Sequence, residues 1–136
     1  MSRKSVQSMV DDAMEEIVTY SIDEARELYG REDVVFVDLR DVRELEREGT
    51  IPGAFHAPRG MLEFWVDPAS PYHKPVFSAP GKSYVLFCAA GWRSALSTVT
   101  MLEMGVDAVG HVDGGFSAWK AAGAPVAPLP PRHPKP

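Results

Sequence analysis

The chain has 136 residues, 45% of them hydrophobic and 24% charged, with a formal net charge of -5. This length fits one domain that can bury a core without disulfide or metal staples. The acidic balance argues against a general nucleic-acid binder, which needs a basic face. The single cysteine, Cys88, excludes an internal disulfide and a thiolate metal cluster. No apolar run approaches the roughly 18 residues that span a bilayer, and acidic residues within 11–16 interrupt any signal-peptide core. We therefore expect a soluble, cytoplasmic protein that contacts neither membrane nor nucleic acid.

The N-terminal segment predicts an amphipathic helix, to which we assign residues 1–17. Between Val6 and Ile17 its apolar residues recur at intervals of three and four. We expect this stripe to pack in cis on the domain, with Met9, Met14 and Ile17 buried. The alternative is that the stripe forms a dimer face.

The next part of the chain alternates predicted strands and helices, which indicates an α/β fold with a mainly parallel sheet. Strands are predicted at 18–20, 34–38, 84–87 and within 106–112. Helices are predicted after capping boxes that begin at Ser21 and Asp41, over 94–104, and after a glycine pair at 114–115. The segment 57–82 is rich in proline, glycine and aromatic residues and predicts an irregular connection with one helical turn near 61–65. The chain from Pro125 onward is proline-rich, which predicts an extended, mobile tail.

Cys88 is predicted at the carboxyl end of a buried strand, directly before a loop of small residues and a helix. Ligands of open parallel sheets bind at this edge, and a helix N-terminus carries unpaired N–H groups that favour a thiolate. Arg93 adds a positive charge nearby. The residues therefore predict an activated thiolate that needs no histidine as base. The alternative is a buried cysteine that acts as a small hydrophobe; the small-residue loop, which leaves backbone amides accessible, favours the first interpretation.

Four segments, in order, resemble the signatures of the rhodanese family: Val37–Arg40, Gly49–His56, Cys88–Ser94 and Gly114–Trp119. The resemblance covers roughly residues 18–126 and leaves 127–136 as a proline-rich tail. It implies a single rhodanese-like domain with a five-stranded, mostly parallel sheet flanked by helices. It also implies that sulfane sulfur is transferred through a persulfide on Cys88.

The reaction that the resemblance implies has two halves and uses no cofactor. Cys88 attacks the outer sulfur of a small anionic donor such as thiosulfate, and a thiol or cyanide then takes the sulfur. Because the chain has no second cysteine, the acceptor comes from outside. The resemblance assigns donor binding to the loop residues Ala89, Ala90, Gly91, Trp92, Arg93 and Ser94. Within this set we expect Arg93 to steer an anionic donor rather than form a surface ion pair, and Trp92 either to line the pocket mouth or to pack.

The remaining polar residues of the signatures are predicted to have structural roles. A charge network that supports the loop is expected from Asp38, Arg40 and Glu44. His56 is expected to form a hydrogen bond with the backbone. No metal is predicted, because ligand spacing is absent from His73, His111 and His133.

Three other functions compete with small-molecule sulfur transfer. Cysteine-dependent phosphatases, and related arsenate reductases, place five residues between cysteine and arginine, whereas four separate Cys88 from Arg93 here. Within the family the six-residue loop goes with sulfur transfer and the seven-residue loop with phosphatase-type members. Non-enzymatic binding modules with this fold often lack the cysteine. Persulfide relay to a sulfur-accepting protein stays open, because the sequence does not separate it from turnover of a small acceptor.

Overall fold

The computed structural model describes residues 2–130 and contains one five-stranded sheet with helices on both faces. The strands are β1 (Val18–Tyr20), β2 (Val34–Asp38), β3 (Phe55–His56), β4 (Ser83–Phe87) and β5 (Val109–Val112). Their order is β1-β5-β4-β2-β3, and every neighbouring pair is parallel. The helices are α1 (Val6–Glu16), α2 (Ile22–Leu28), α3 (Val42–Glu48), α4 (Leu62–Val66), α5 (Trp92–Glu103) and α6 (Gly115–Ala121). The predicted α/β class, the five-stranded sheet that the resemblance implies and the N-terminal helix are confirmed, although only four of the strands were located from the residues.

The central strands β2 and β4 are apolar on both faces because each face is covered by helices. One face packs under α4 and α5, with a core that includes Val37, Leu86 and Met101. The other packs under α2 and α6, where Phe36 and Trp119 meet edge to face at 5.7 Å. The central strands are therefore buried on both sides, which leaves their carboxyl edge as the place where loops and helix ends converge.

Both capping boxes form as predicted. The Ser21 hydroxyl accepts from the Glu24 N–H at 3.1 Å while the Glu24 carboxylate accepts from the Ser21 N–H at 2.9 Å. The same reciprocal pattern between Asp41 and Glu44 begins α3. These local bonds satisfy N–H groups that have no partner within the helix, which explains why these two helix starts could be predicted from sequence.

Three boundaries differ from the sequence-based expectation. Helix α5 begins at Trp92 rather than at Ser94, so the loop after Cys88 ends at Gly91. The two-residue strand β3 was not predicted, because its pairing with β2 is a tertiary contact with no period of its own. The connection 57–82 contains more helix than expected, since 3-10 turns at Arg59–Met61 and Pro75–Ser78 flank α4.

Helix α1 packs in cis against α5, but not through all the residues expected. Val10 and Ala13 are buried against Ala95 of α5. The expectation that Met9 and Met14 are buried is wrong, because their side chains are 45% and 40% exposed. Helix α1 packs mainly on α5 and buries a narrow stripe centred on positions 10 and 13, with Ile17 partly buried beside it. In the described part of the chain, 2–130, none of the helices is long and apolar enough to cross a membrane.

The segment that follows α6 is attached to the domain at two points. Trp119 donates from Nε1 to the carbonyl of Pro125 at 2.8 Å. Ala127 forms an antiparallel bridge with Thr50, with N···O distances of 2.7 and 2.9 Å. The chain from Pro125 to Ala127 is thus not the free tail that its proline content suggested. Residues 131–136 of the predicted tail lie outside the described residues.

Candidate functional site

The site begins where β4 ends. Phe87, the last residue of β4, pairs in register with Asp38, the last residue of β2. Cys88 follows at the carboxyl edge of the sheet, and α5 begins four residues later. The parallel arrangement therefore brings the cysteine, the N-terminus of a 12-residue helix and the ends of the central strands to one edge.

The sulfur of Cys88 lies inside the loop and accepts a hydrogen bond from the Gly91 N–H, with an N···Sγ distance of 3.1 Å. Gly91 has a φ of +130°, which side-chain-bearing residues rarely adopt. Its Cβ-free backbone lets the chain turn back over the sulfur and enter α5. The first N–H groups of α5 have no partner within the helix. This geometry suits a sulfur that carries negative charge.

The glycine pair at the start of α6 brings backbone groups of this helix into contact with the cysteine loop. The N–H groups of Phe116 and Ser117 donate to the carbonyls of Cys88 and Ala89 at 2.8 and 3.1 Å. A Cβ on Gly115 would lie 2.4 Å from the Cys88 carbonyl oxygen. Gly115 is therefore required by close backbone contact under the loop. The sequence located this glycine in a turn before a predicted helix and in the family signature, but did not predict its contact with the cysteine loop.

Arg93 forms an ion pair with Glu44. Its Nη1 and Nη2 donate to the two carboxylate oxygens of Glu44 at 2.7 and 3.1 Å. The hydrogen bond with Arg93 holds the pKa of Glu44 below its usual value. The same bond raises the pKa of Arg93, and the nearby Cys88 adds to that shift. The structure thus shows the ion pair that we considered the lesser alternative for Arg93, and steering of a donor by Arg93 stays a prediction.

Asp38 and Arg40 form a buried ion pair beneath the site, with both residues at most 1% exposed. Arg40 donates from Nη2 to Asp38 Oδ2 at 2.8 Å and to the Gly49 carbonyl at 2.9 Å. Its guanidinium carbon lies 3.9 Å from the centre of the Phe116 ring. The backbone N–H of Phe116 donates to the Cys88 carbonyl, so Arg40 contacts a residue that holds the cysteine loop. Glu44 forms its hydrogen bonds with Arg93, and the charge of Arg40 also acts on it; the predicted supporting role of the three residues stays a prediction.

His56 lies at the end of β3, next to the same ion pair. Its Nε2 is 2.7 Å from the carbonyl oxygen of Arg40. This is the contact with the backbone that was expected of His56. It places the ring beside the buried ion pair rather than at the sulfur.

The predicted donor-binding residues divide between the surface and the interior. Trp92 is 49% exposed and Ala90 is also exposed, whereas Cys88 is only 1% exposed. Ser94 is fully buried, and its Oγ lies 3.6 Å from Cys88 Sγ on the interior side. Contact between Ser94 and the donor therefore stays a prediction, and in this structure the Ser94 side chain is buried. The hydroxyl faces inward because Ser94 is on the side of α5 that packs on the sheet.

One residue of the site was missed from the sequence. His111, in the middle of β5, places Nδ1 2.8 Å from Ser94 Oγ and is 2% exposed. Burial lowers the pKa of His111, and the charge of Asp113 opposes this shift. Strand alternation from Val109 assigns His111 to the face covered by α5, and that was the available signal. Among residues 2–130, the His, Cys, Asp and Glu side chains form no cluster of three that could hold a metal ion.

Comparisons with known proteins agree with this geometry. A mouse thiosulfate sulfurtransferase/rhodanese-like domain-containing protein 3 is 29% identical over 106 residues, 75% of this chain and 66% of the mouse protein. The chain spans between 55% and 66% of the length of the first curated relatives that it matches.

Two solved structures cover nearly the whole chain. A protein of unknown function from Rhodopseudomonas palustris, described as a possible tyrosine phosphatase, is 47% identical, with a TM-score of 0.90 over 93% of this chain and 97% of that one. The polysulfide-sulfur transferase homodimer from Wolinella succinogenes is 27% identical, with a TM-score of 0.69 over 93% of this chain and 90% of that one. The model of the Rhodanese-like domain matches residues 21–122, which include the cysteine loop and the glycine pair, and the chain therefore belongs to the rhodanese-like domain family.

Proposed function

We propose that the protein is a sulfurtransferase that carries a sulfane sulfur as a persulfide on Cys88. The observation that supports this most directly is the hydrogen bond from the Gly91 N–H to Cys88 Sγ at 3.1 Å. Together with the N-terminus of α5, it provides donors for a sulfur anion. The relationship to a polysulfide-sulfur transferase supports the same class of reaction.

In the first half-reaction, the Cys88 thiolate attacks the outer sulfur of thiosulfate. A sulfur–sulfur bond forms between Cys88 and that atom, and the bond to the sulfite group breaks. Sulfite leaves with the bonding electrons, and the negative charge of the persulfide stays on its terminal sulfur. Exchange at divalent sulfur needs a good nucleophile and a good leaving group and no metal.

In the second half-reaction, cyanide or a thiolate attacks the terminal sulfur and Cys88 leaves as a thiolate. Because Cys88 is the only cysteine, no internal thiol can resolve the persulfide. The acceptor is therefore an external small molecule or a partner protein. The exposed Trp92 and Ala90 lie where a protein acceptor would approach the loop, which keeps persulfide relay as a variant of the same function.

Phosphatase chemistry is the second candidate, and it is favoured by the description of the Rhodopseudomonas palustris protein. Two features of the loop argue against it. Cys88 is 1% exposed, so the sulfur is reached more readily by a single terminal atom than by a tetrahedral phosphate. Ser94 stands where a phosphatase loop would have its arginine, and its side chain faces the interior.

The decisive experiment is intact-mass spectrometry after incubation with thiosulfate. We expect a gain of one sulfur atom that cyanide or dithiothreitol removes, and no gain in Cys88→Ser. Hydrolysis of p-nitrophenyl phosphate is measured in parallel and is expected to be negligible. Phosphatase activity that depends on Cys88, with no persulfide, would reverse the order of the two candidates.

A further inference from the structure

A row of polar groups, buried except for the partly exposed Thr19, leads from the cysteine to the far edge of the sheet. Cys88 Sγ lies 3.6 Å from Ser94 Oγ, which lies 2.8 Å from His111 Nδ1. His111 Nε2 lies 3.1 Å from Thr19 Oγ1. The four residues come from the end of β4, from α5, from β5 and from β1, so no local sequence pattern connects them.

We propose that His111 is a positioning residue for Cys88, which it serves by orienting the hydroxyl of Ser94 so that its proton points at the cysteine sulfur. The inference rests on the proposed function in that Cys88 is the reacting group. It adds a second hydrogen-bond donor to the ionised sulfur, besides the Gly91 N–H.

The orientation of the Ser94 hydroxyl depends on which neighbouring acceptor receives its single hydrogen. A serine hydroxyl has one hydrogen and two acceptor sites. When Cys88 is a thiol, its S–H donates to Ser94 Oγ and the Ser94 hydroxyl donates to the Gly91 carbonyl at 3.2 Å. When Cys88 is ionised, the acceptors available to the Ser94 proton are the Gly91 carbonyl, Cys88 Sγ and an unprotonated His111 Nδ1. If Nδ1 carries the ring proton, it donates to Ser94 Oγ and leaves the hydroxyl proton for the other two. The Gly91 carbonyl already accepts from the Ala95 N–H at 3.0 Å, whereas an ionised sulfur gains a charge-assisted bond.

Thr19 selects the tautomer that this arrangement needs. Its hydroxyl lies 3.1 Å from His111 Nε2 and donates there when the ring proton is on Nδ1. The other acceptor near Thr19 is the sulfur of Met14 at 3.9 Å, which is a weak one. The stronger bond is therefore the one to Nε2, and the direction of donation runs from Thr19 through His111 to Ser94 and Cys88.

The charges around the row are consistent with a neutral imidazole. Burial lowers the pKa of His111, and Asp113 acts on it with the opposite sign. Arg93 is the cation that acts on Cys88, and it is paired with Glu44. His111 therefore acts through its N–H dipole and not as a base: no proton moves along the row, and the thiol proton of Cys88 goes to solvent.

A merely structural role for His111 would fill space and satisfy Ser94 without affecting the sulfur. The positioning role and the merely structural role can be distinguished with two variants, each of which keeps a polar group at the position of only one of the two ring nitrogens. In His111→Asn the side-chain amide reaches the position of Nδ1 and keeps the contact with Ser94. In His111→Gln the amide reaches the position of Nε2 and loses it. Both variants replace the ring with a neutral amide.

The test is the rate of Cys88 alkylation by iodoacetamide as a function of pH. For Ser94→Ala and His111→Gln we expect the profile to move to higher pH, with a rate near neutral pH reduced about tenfold, the size expected for loss of a hydrogen bond to a charged group. His111→Asn retains most of the rate. The double variant Ser94→Ala/His111→Gln is no slower than Ser94→Ala alone, because both changes remove the same bond. At high pH the plateau of each variant should be no lower than that of the parent, because a less stabilised thiolate is the stronger nucleophile; a lower plateau would show reduced access to the sulfur.

The inference is overturned if His111→Gln leaves the profile in place, or if its effect adds fully to that of Ser94→Ala. Should His111→Gln fail to fold by circular dichroism, Thr19→Val serves instead, since it removes the bond that selects the tautomer. A smaller shift in the same direction then supports the proposal, and no shift contradicts it. Alkylation needs no sulfur donor, so the result is independent of whether thiosulfate loads Cys88.

Discussion

Helix α5 is held in different ways at its N-terminus and on its outer face. At its N-terminus, backbone and buried polar groups of several elements meet around Cys88 and Gly115, with contacts at 2.8–3.6 Å. On its outer face, α1 contacts it through the small apolar stripe of Val10 and Ala13. The comparison shows where the chain tolerates change. Backbone contacts leave no room for an added atom, whereas apolar side-chain contacts lose stability in proportion to what is removed.

The largest effect is expected from Arg40→Met. The substitution leaves the Asp38 carboxylate buried without its partner, an arrangement that costs about 3–5 kcal/mol. The free energy of unfolding, measured by urea denaturation, should fall by that amount, and Cys88 should load less persulfide because Phe116 loses its neighbour. In the matched double variant Asp38→Asn/Arg40→Met, no buried charge remains and part of the loss should return. A single variant as stable as the parent would show that Arg40 is not the support of the loop.

Gly115→Ala tests the backbone contact directly. The new Cβ would lie 2.4 Å from the Cys88 carbonyl oxygen, so the loop must shift. Overpacking of this kind costs about 1–3 kcal/mol, to which the positive φ adds strain. Gly123→Ala is the control, because Gly123 also has a positive φ of +76° but nothing within 4 Å of its Cβ position. We expect both to lose stability in urea and only Gly115→Ala to lose persulfide loading. Equal loading in the two variants would contradict the role of Gly115.

The apolar contact of α1 should show a smaller, graded loss. Val10→Ala removes buried atoms and should lower the free energy of unfolding by about 2 kcal/mol. Met9→Ala, one position away and 45% exposed, should change it by less than about 0.5 kcal/mol. Light scattering should give the same mass for both variants and the parent. If Met9→Ala instead converted a dimer to a monomer, α1 would be a dimer face.

The difference between the two regions also explains what could be predicted from sequence. Local patterns located the capping boxes, the central strands and the cysteine at a strand end, since each depends on neighbours in the chain. The buried stripe of α1 was predicted one position too wide on each side, because periodicity does not show how many neighbours a helix has. The ion pair of Glu44 with Arg93 joins side chains 49 positions apart, and the contact of Ser94 with His111 joins side chains 17 positions apart. Both form only in the folded chain.

The smallest effect on stability is expected from removal of the ion pair of Glu44 with Arg93. The pKa of Glu44 is lowered in the folded chain, so its contribution is present above the ordinary value of 4.5 and is lost as pH falls through the folded value. Because Arg93 is 41% exposed, solvent screens the pair and Glu44→Gln should cost no more than about 1 kcal/mol at neutral pH. Glutamine can still complete the capping box with Asp41, so α3 should stay intact. The variant should therefore lose less stability than the parent between neutral pH and pH below 4.5.

Glu44→Gln also leaves the charge of Arg93 unpaired beside the loop. If Arg93 steers anionic donors, thiosulfate should load Cys88 faster in this variant at low ionic strength, and added salt should remove the difference. An unchanged loading rate at low salt would assign Arg93 to the ion pair alone.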